Sequence, residues 1–341
     1  MGKYAREHKV GPLRDPGVVS RHPQSPVLTP EGMPFPSKLA YNAGVVRHAT
    51  ADGQYVMVFR NDSGWDPEKK KAPEFNLGLA YSDDGLTWRV EPRWLKPDDD
   101  PDILGSIDPR LIRMGGRYYI SYCQYTGHGY RATIAATEDF RSFDILDRSL
   151  PDNRDGVLFP EKIGGKYYRL DRPFPIDSRD SQKLFDIWIS ESHDLVYWGR
   201  SQPLLCVEDV PYCNERIGAG SPPVRTDQGW LVLFHAVDVD EDRGKNGWED
   251  EWQSRYTVGA MLLDLDDPRK VIAASKEPLM VPGAAYEVNG GFRNNVLFPT
   301  ALVPEPDGEA KIYYGAADTV LGLGTAPLAS LVDFCLSFRG R

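Results

Sequence analysis

Apolar residues along the chain fall in short runs, often alternating with polar ones, and each run stops at a turn carrying Gly, Pro, Asn or Asp. That is strand patterning, and a helical 3.6-residue period is nearly missing. One arrangement recurs five times: a Gly-bearing turn followed by an aromatic or aliphatic strand. The copies are DGQYVMVFRN (52–61), GGRYYISYCQ (115–124), GGKYYRLDRP (164–173), QGWLVLFHAV (228–237) and EAKIYYGAAD (309–318). A second strand follows each copy, as in LGLAYSDDGLTW (77–88), and a short apolar segment precedes it: YNAGVV, DPRLIR, DGVLFPEKI, GAGSPPVR and VLFPTALV. Three strands per unit with room for a fourth, five times over, predict an all-β chain folded as a five-bladed β-propeller with its active site in the central channel. An irregular array of β-sandwiches is the alternative. The division expected is an N-terminal extension over 1–40, rich in Pro and basic groups, and a propeller domain over 41–341.

In a propeller the first strand of each blade lines the channel, so residues opening the five short segments converge from distant parts of the chain. Asp108, in GSIDPRLI, opens the second unit, and a carboxylate at the start of a buried strand is costly unless it is used. At the same depth the third unit has Arg154 and Asp155, with Lys162 further along and Arg172 at the end of the next strand. The fourth unit has Arg216 before a Gly-rich turn and His235 inside an apolar strand; the first adds Arg60 and the fifth Asp318. Taken singly, each has an ordinary reading: a solvated arginine, a hydrogen-bonded core histidine, an aspartate capping a turn.

Composition sharpens the coincidence. The 341 residues carry a net charge of −10, which argues against a nucleic-acid partner and makes an inward cluster of arginines informative. Arginine's planar fork matches tetrahedral oxyanions, so Arg154, Arg172, Arg216 and His235 read as an anion site, with phosphate the candidate. No metal is expected: the four cysteines show no CxxC spacing, His22, His48 and His128 are isolated, and PDDDPD (97–102) reads as a loop ahead of a calcium site. MGKYAREHKV has no apolar stretch of signal-peptide length, and no apolar run is long enough to span a membrane. A soluble, cytoplasmic protein is the expectation. Two further stretches are candidates for a sugar-binding wall: the loop from Tyr125 to Arg131, and the Trp-rich insertion GKNGWEDEWQSRY (244–256). An exposed loop or a contact between subunits of a homo-oligomer serves equally for both.

With DPRL, VLFPEKIGGKYY, RP at 172–173, IGAGSPPV, LFHAV, LLDLDDPRKVI, NNVLFPTA and IYYGAADTVLGLGTA in hand, the chain resembles the β-mannoside phosphorylases of glycoside hydrolase family 130, over roughly residues 42–326. The resemblance implies a five-bladed propeller that cleaves a β-mannoside with inorganic phosphate, inverting the anomeric centre to release α-mannose 1-phosphate. It implies Asp108 as the catalytic acid, Arg154, Arg172, Arg216 and His235 as phosphate ligands, and Arg60 and Asp318 as contacts to the mannose. Asn42, Lys162, Tyr125 and Arg131 complete the substrate-binding candidates. Three departures from the family pattern stand out: Arg216 where many members have lysine, no Glu before the Asp of SIDPR, and Asp171 where His is common. The resemblance also implies that Asp108 acts through the mannose 3-hydroxyl.

One carboxylate suffices for such a reaction. An inverting hydrolase needs a second to activate water, whereas phosphate is already an ionised nucleophile and needs a cationic cradle instead. No cofactor is expected, phosphate being a co-substrate. The alternatives are a β-mannosidase-type hydrolase on the same propeller, with Asp155 or Glu161 as base, and a non-catalytic carbohydrate-binding propeller. The leaving sugar and the linkage, β-1,4 or β-1,2, are open.

Overall fold

A computed structural model describes residues 8–64, 74–174, 184–244, 246–249 and 252–340. The chain is all-β, and its strands form five successive antiparallel units. The first is Leu39–Thr50, Gly53–Ser63, Glu74–Ser82 and the short Arg89–Val90. The second is Ile103–Met114, Arg117–Thr126, Gly129–Thr137 and Asp144–Arg148. The third is Asn153–Leu158, Tyr167–Pro173, Ile187–Ser192 and Trp198–Leu205. Arg216–Ala219, with Val224–Thr226 continuing its edge, then Gly229–Val239, Ser254–Leu263 and Val271–Ala274 make the fourth. In the fifth, Leu297–Pro304, Glu309–Ala316 and Val320–Pro327 are joined by Ser20–Arg21, which pairs Ser20 with Thr325 and Arg21 with Gly324. A single parallel pair, Phe75 with Gly105, links the first unit to the second. Counted by hydrogen bonds there are therefore four sheets, and none closes on itself.

All five repeats read from the sequence lie on the second strands of these units. The strands are apolar on both faces because each sheet is covered on both sides. In Gly229–Val239, Trp230, Val232 and Phe234 pack against Val157, Leu170 and Ile189 of the third unit, while Leu231 and Leu233 pack against Leu297, Ile312 and Tyr314 of the fifth. Similar clusters join the first unit to the second through Val56, Val58, Leu111 and Ile120, and the second to the third through Ile112, Ile134 and Leu158. Another joins the fifth back to the first through Tyr313, Leu323, Met57 and Phe59. Burying two faces produces continuous apolar runs where a one-sided sheet would show strict alternation.

Three of the inner strands break their pairing at the same place. Register shifts fall between Tyr41 and Gly44, between Ile107 and Arg110, and between Arg154 and Val157. At each shift one residue takes a left-handed backbone conformation: Asn42 (φ 47°), Asp108 (φ 54°) and Asp155 (φ 53°). Asn and Asp are the non-glycine residues that tolerate this region best. A β-bulge bends the strand and re-aims the side chain at that point.

Candidate active site

The three bulges deliver their side chains into one cavity of about 290 Å³, lined also by Arg60, Arg154, Arg172, Arg216, His235, Arg293 and Asp318. Aromatic side chains, Phe174, Phe185, Trp252, Tyr256 and Phe298, fill the spaces between these charges. Eight of the eleven candidate residues named from the sequence meet here, from all five units.

Asp108 accepts hydrogen bonds from Asn42 Nδ2 at 2.8 Å and Arg60 NH1 at 3.1 Å, and both fall on the same oxygen, Oδ1. Arg60 is itself held by a fork on Asp62 (2.8 and 2.7 Å) and by the rings of Tyr41 and Phe75 on its two sides. Burial pushes the Asp108 carboxyl up, but Arg60, Arg110 and the Asn42 amide outweigh it, and the group lies below the usual carboxylate range. With the cavity empty of anion, Asp108 is ionised at neutral pH.

The third and fourth units supply the opposite charge. Arg172 Nε donates to Asp155 Oδ2 at 2.6 Å, and Arg154 lies directly across the strand pair from Arg172. The Arg154 guanidinium sits 3.5 Å above the Tyr130 ring, and its buried Nε has no hydrogen-bond partner among the described residues. Arg216 is aimed by the Tyr256 hydroxyl, which accepts from Nε at 3.1 Å and NH2 at 2.7 Å. His235 packs against both Tyr256 and Phe298, which also touch each other, with Nε2 3.7 Å from Asp155 and a buried Nδ1 that lacks a partner among the described residues. Burial first, then Arg172, Arg110 and Arg216, drive His235 down to about 3, so it is neutral. Gly218 lies so close that a Cβ there would sit 2.3 Å from His235 Cε1 and 2.5 Å from Asp155 Oδ2. Only glycine leaves room for the imidazole and the carboxylate together.

Asp155 is buried and ionised, held well below the usual range because Arg172, His235 and Arg110 outweigh its burial. Arg110 runs behind the cavity floor, with NH1 on the Asp108 carbonyl oxygen at 2.7 Å, Nε on the Gly220 carbonyl oxygen at 2.7 Å, and NH2 3.8 Å from Asp155. It thus ties the second, third and fourth units at the point where the two carboxylates approach. On the far side, Asp318 accepts from Arg293 NH1 at 3.2 Å.

Three expected substrate contacts are placed elsewhere. Lys162 lies with its ammonium 4.4 Å from the Tyr167 ring centre and is not among the residues lining the cavity, because Asn153–Leu158 has ended and the chain is in the turn leading to Tyr167–Pro173. Arg131 donates to the carbonyl oxygens of Ser149 and Arg148 and lines a separate cleft with His128 and Arg148. Tyr125 is one ring removed: it packs on Tyr130, which carries Arg154. Of the insertion 244–256, Trp252 and Tyr256 reach the cavity, while positions 245, 250 and 251 lie outside the described residues. Arg110, Arg293 and Phe298 went unrecognised in the sequence. Arg110 was the most visible of these, standing inside DPRL two residues after Asp108 and directly before the apolar pair Leu111 and Ile112. Away from the cavity, Asp186, Cys206 and Glu208 bring ligand-type atoms within 4.8 Å of one another. Asp186 there already accepts the Val207 amide at 2.9 Å.

The family model for β-1,4-mannooligosaccharide phosphorylase matches residues 19–337. The chain belongs to glycoside hydrolase family 130. It is 31% identical to the β-1,4-mannooligosaccharide phosphorylase of Ruminococcus albus, an alignment covering 94% of this chain and 91% of that one. It is 34% identical to the 1,2-β-oligomannan phosphorylase of a Thermoanaerobacter species, over 72% and 77% of the two chains. Its fold is similar to that of the β-1,2-mannobiose phosphorylase of Listeria innocua in complex with β-1,2-mannobiose, with a TM-score of 0.78, 26% identity, and 93% and 99% of the chains covered. Family 130 members are thus its relatives in sequence and in fold.

Proposed function

We propose that this protein is an inverting β-mannoside phosphorylase: Asp108 protonates the leaving sugar oxygen while phosphate, held by Arg154, Arg172, Arg216 and His235, attacks the anomeric carbon. The glycosidic C–O bond breaks as the phosphate C–O bond forms, and the products are α-mannose 1-phosphate and the freed acceptor sugar. The observation that carries this is the convergence of those four groups, from two units, in the same cavity as a carboxylate from a third. Preorganised cations of this kind stabilise an incoming oxyanion, and fixing it against the substrate removes the entropy cost of the encounter. Asn42, Arg60 and Asp318 hold the mannose.

The charge state of Asp108 gives the order of events. Ionised in the free protein, it becomes an acid when an anion arrives and offsets Arg60 and Arg110. Because Asn42 and Arg60 both bind Oδ1 among the described residues, Oδ2 is the oxygen that faces the substrate in this reading, directly or through a sugar hydroxyl.

Hydrolysis on the same scaffold fits less well. Asp155 is bound by Arg172 and driven far down, so it is a poor base for water. Glu161 lies at the surface with Arg225. The cyclic series of interunit clusters, returning from the fifth unit to the first, supports the arrangement of the five units as propeller blades. The pairing of Ser20–Arg21 with the fifth unit favours one domain that takes in part of residues 1–40, in place of a division between an extension over 1–40 and a domain over 41–341. Four free cysteines favour a reducing compartment such as the cytoplasm. The deciding experiment incubates the protein with β-1,4- and β-1,2-mannobiose, with and without phosphate. Formation of α-mannose 1-phosphate only with phosphate is expected; free mannose at the same rate in both would overturn the reading.

A further inference from the structure

Asp318 and the insertion 244–256 belong to different units, yet one guanidinium holds both. Arg293 directs NH1 to Asp318 Oδ2 at 3.2 Å and spends Nε and NH2 on Glu249, the latter at 3.3 Å. Its Cζ lies 4.7 Å from the Trp252 ring centre and 5.0 Å from that of Phe292, so two aromatic rings pack on the guanidinium. The same residue also grips Asp318 through the backbone: its amide donates to the Ala317 carbonyl oxygen at 3.0 Å. Ala317 and Asp318 are consecutive left-handed residues (φ 50° and 49°), a conformation that persists only where the surroundings enforce it. Backbone and side chain of Arg293 together supply that enforcement, and Gly247 bridges to Arg293 from the insertion.

We propose that Arg293 is the positioning residue of the mannoside end, holding Asp318 in the orientation that meets the sugar and locking that orientation to the Trp252 wall. The proposal rests on the phosphorylase reading and deepens it. The electrostatics agree. Burial pushes the Asp318 carboxyl up; Arg293 is the largest opposing influence, followed by Arg60, while Asp108 adds to the push. The Tyr41 hydroxyl also feels the Asp318 charge. On its other side Arg293 faces Glu249, Tyr256 and Arg216. Without Arg293, Asp318 would take up a proton as pH falls and stop accepting from a sugar hydroxyl.

The test compares wild type, Arg293→Met and Arg293→Lys, with phosphate and each mannobiose, scoring α-mannose 1-phosphate, and measures α-mannose 1-phosphate binding by calorimetry. Arg293→Met should raise the mannoside KM about tenfold or more, as loss of a charged hydrogen bond does, and leave the phosphate KM within about twofold. The loss should deepen as pH falls, because the carboxyl, already raised by burial, loses the largest influence that opposes its protonation. Arg293→Lys keeps the charge and should recover part of the KM and most of the pH profile. A direct sugar contact by Arg293 would instead raise KM by the same factor at every pH, and that flat profile overturns the proposal. So does a parallel rise in both KM values, or lysine behaving like methionine. If Arg293→Met fails to fold, Arg293→Lys decides alone: weakened sugar phosphate binding with unchanged inorganic phosphate binding supports the proposal, and unchanged binding of both sinks it. Wild type that forms no α-mannose 1-phosphate and does not bind it sinks the phosphorylase reading itself.

Discussion

On the wall built by the third and fourth units, Arg154, Arg172, Arg216 and His235 face a single inward carboxylate, Asp155; on the wall built by the first, second and fifth, Asp108 and Asp318 meet Arg60, Arg293 and the amide of Asn42. The same residue types serve both, but the first wall carries a surplus of positive charge and the second is close to balance. The surplus suits a ligand that arrives as an anion. The balance suits a neutral sugar, whose hydroxyls need oriented donors and acceptors, and it keeps one carboxylate free to change its protonation. Asp155 keeps the first wall from being purely cationic, and it fixes the Arg172 fork through Nε.

The largest blow to this division would come from removing its one acid. Asp108→Asn retains a residue that accepts the left-handed backbone and the Asn42 contact, so the fold should survive, while kcat falls about 10²–10⁴-fold, the range for a lost general acid. An undiminished kcat would move the chemistry elsewhere. Next is Arg172→Ala, which strips the cationic wall and leaves Asp155 short of its partner. The phosphate KM should rise by about two orders of magnitude with the mannoside KM nearly unchanged, and stability should drop by about 3 kcal/mol, read by denaturant titration. Equal losses for both substrates would erase the distinction between the walls. A smaller effect separates the walls by pH. Asp108 must carry a proton to act, so the rate is lost as pH rises through its pKa. Because bound phosphate offsets Arg60 and Arg110, that alkaline limb should stand at higher pH at saturating phosphate than at limiting phosphate. Coincident limbs would remove the coupling.

The smallest effect is on folding. His235 is driven down to about 3 in the native state, below the ordinary histidine value of about 6.5. The unfolded chain therefore binds more protons between these values, and stability falls as pH drops through that window. Replacing His235 with Asn should flatten the decline in unfolding free energy between about pH 6.5 and about pH 4.5, and a slope identical to wild type would mean the imidazole is charged in the fold.

Much of this was visible in the chain because every unit repeats the same order of inner strand, Gly-bearing turn and second strand, so that the inner-strand openings can be located. Asp108 and His235 are polar groups among apolar neighbours, while Arg154, Arg172 and Arg216 showed through their positions at strand ends and openings. Arg293 was hidden because FRNN lies in a loop between strands, where an arginine is unremarkable; only the close approach of Glu249 and Asp318 gives it a role. Lys162 and Arg131 misled for the converse reason. Both follow a channel-facing segment, but sequence position does not reveal that the backbone has turned away, toward Tyr167 in one case and the Ser149 carbonyl in the other. Arg110 shows the ambiguity of a strand with both faces buried: its side chain runs behind the site, and alternation alone does not tell front from back.

The pairing of Ser20–Arg21 with Val320–Pro327 has a consequence for biosynthesis. The residues that finish the last unit are translated first and must wait for nearly the whole chain before their partners emerge. Asp318 precedes that late strand by only a few positions, so it is the last of the sugar-wall residues to be synthesised. A nascent or prematurely terminated chain therefore carries most of the anion site but no complete catalyst.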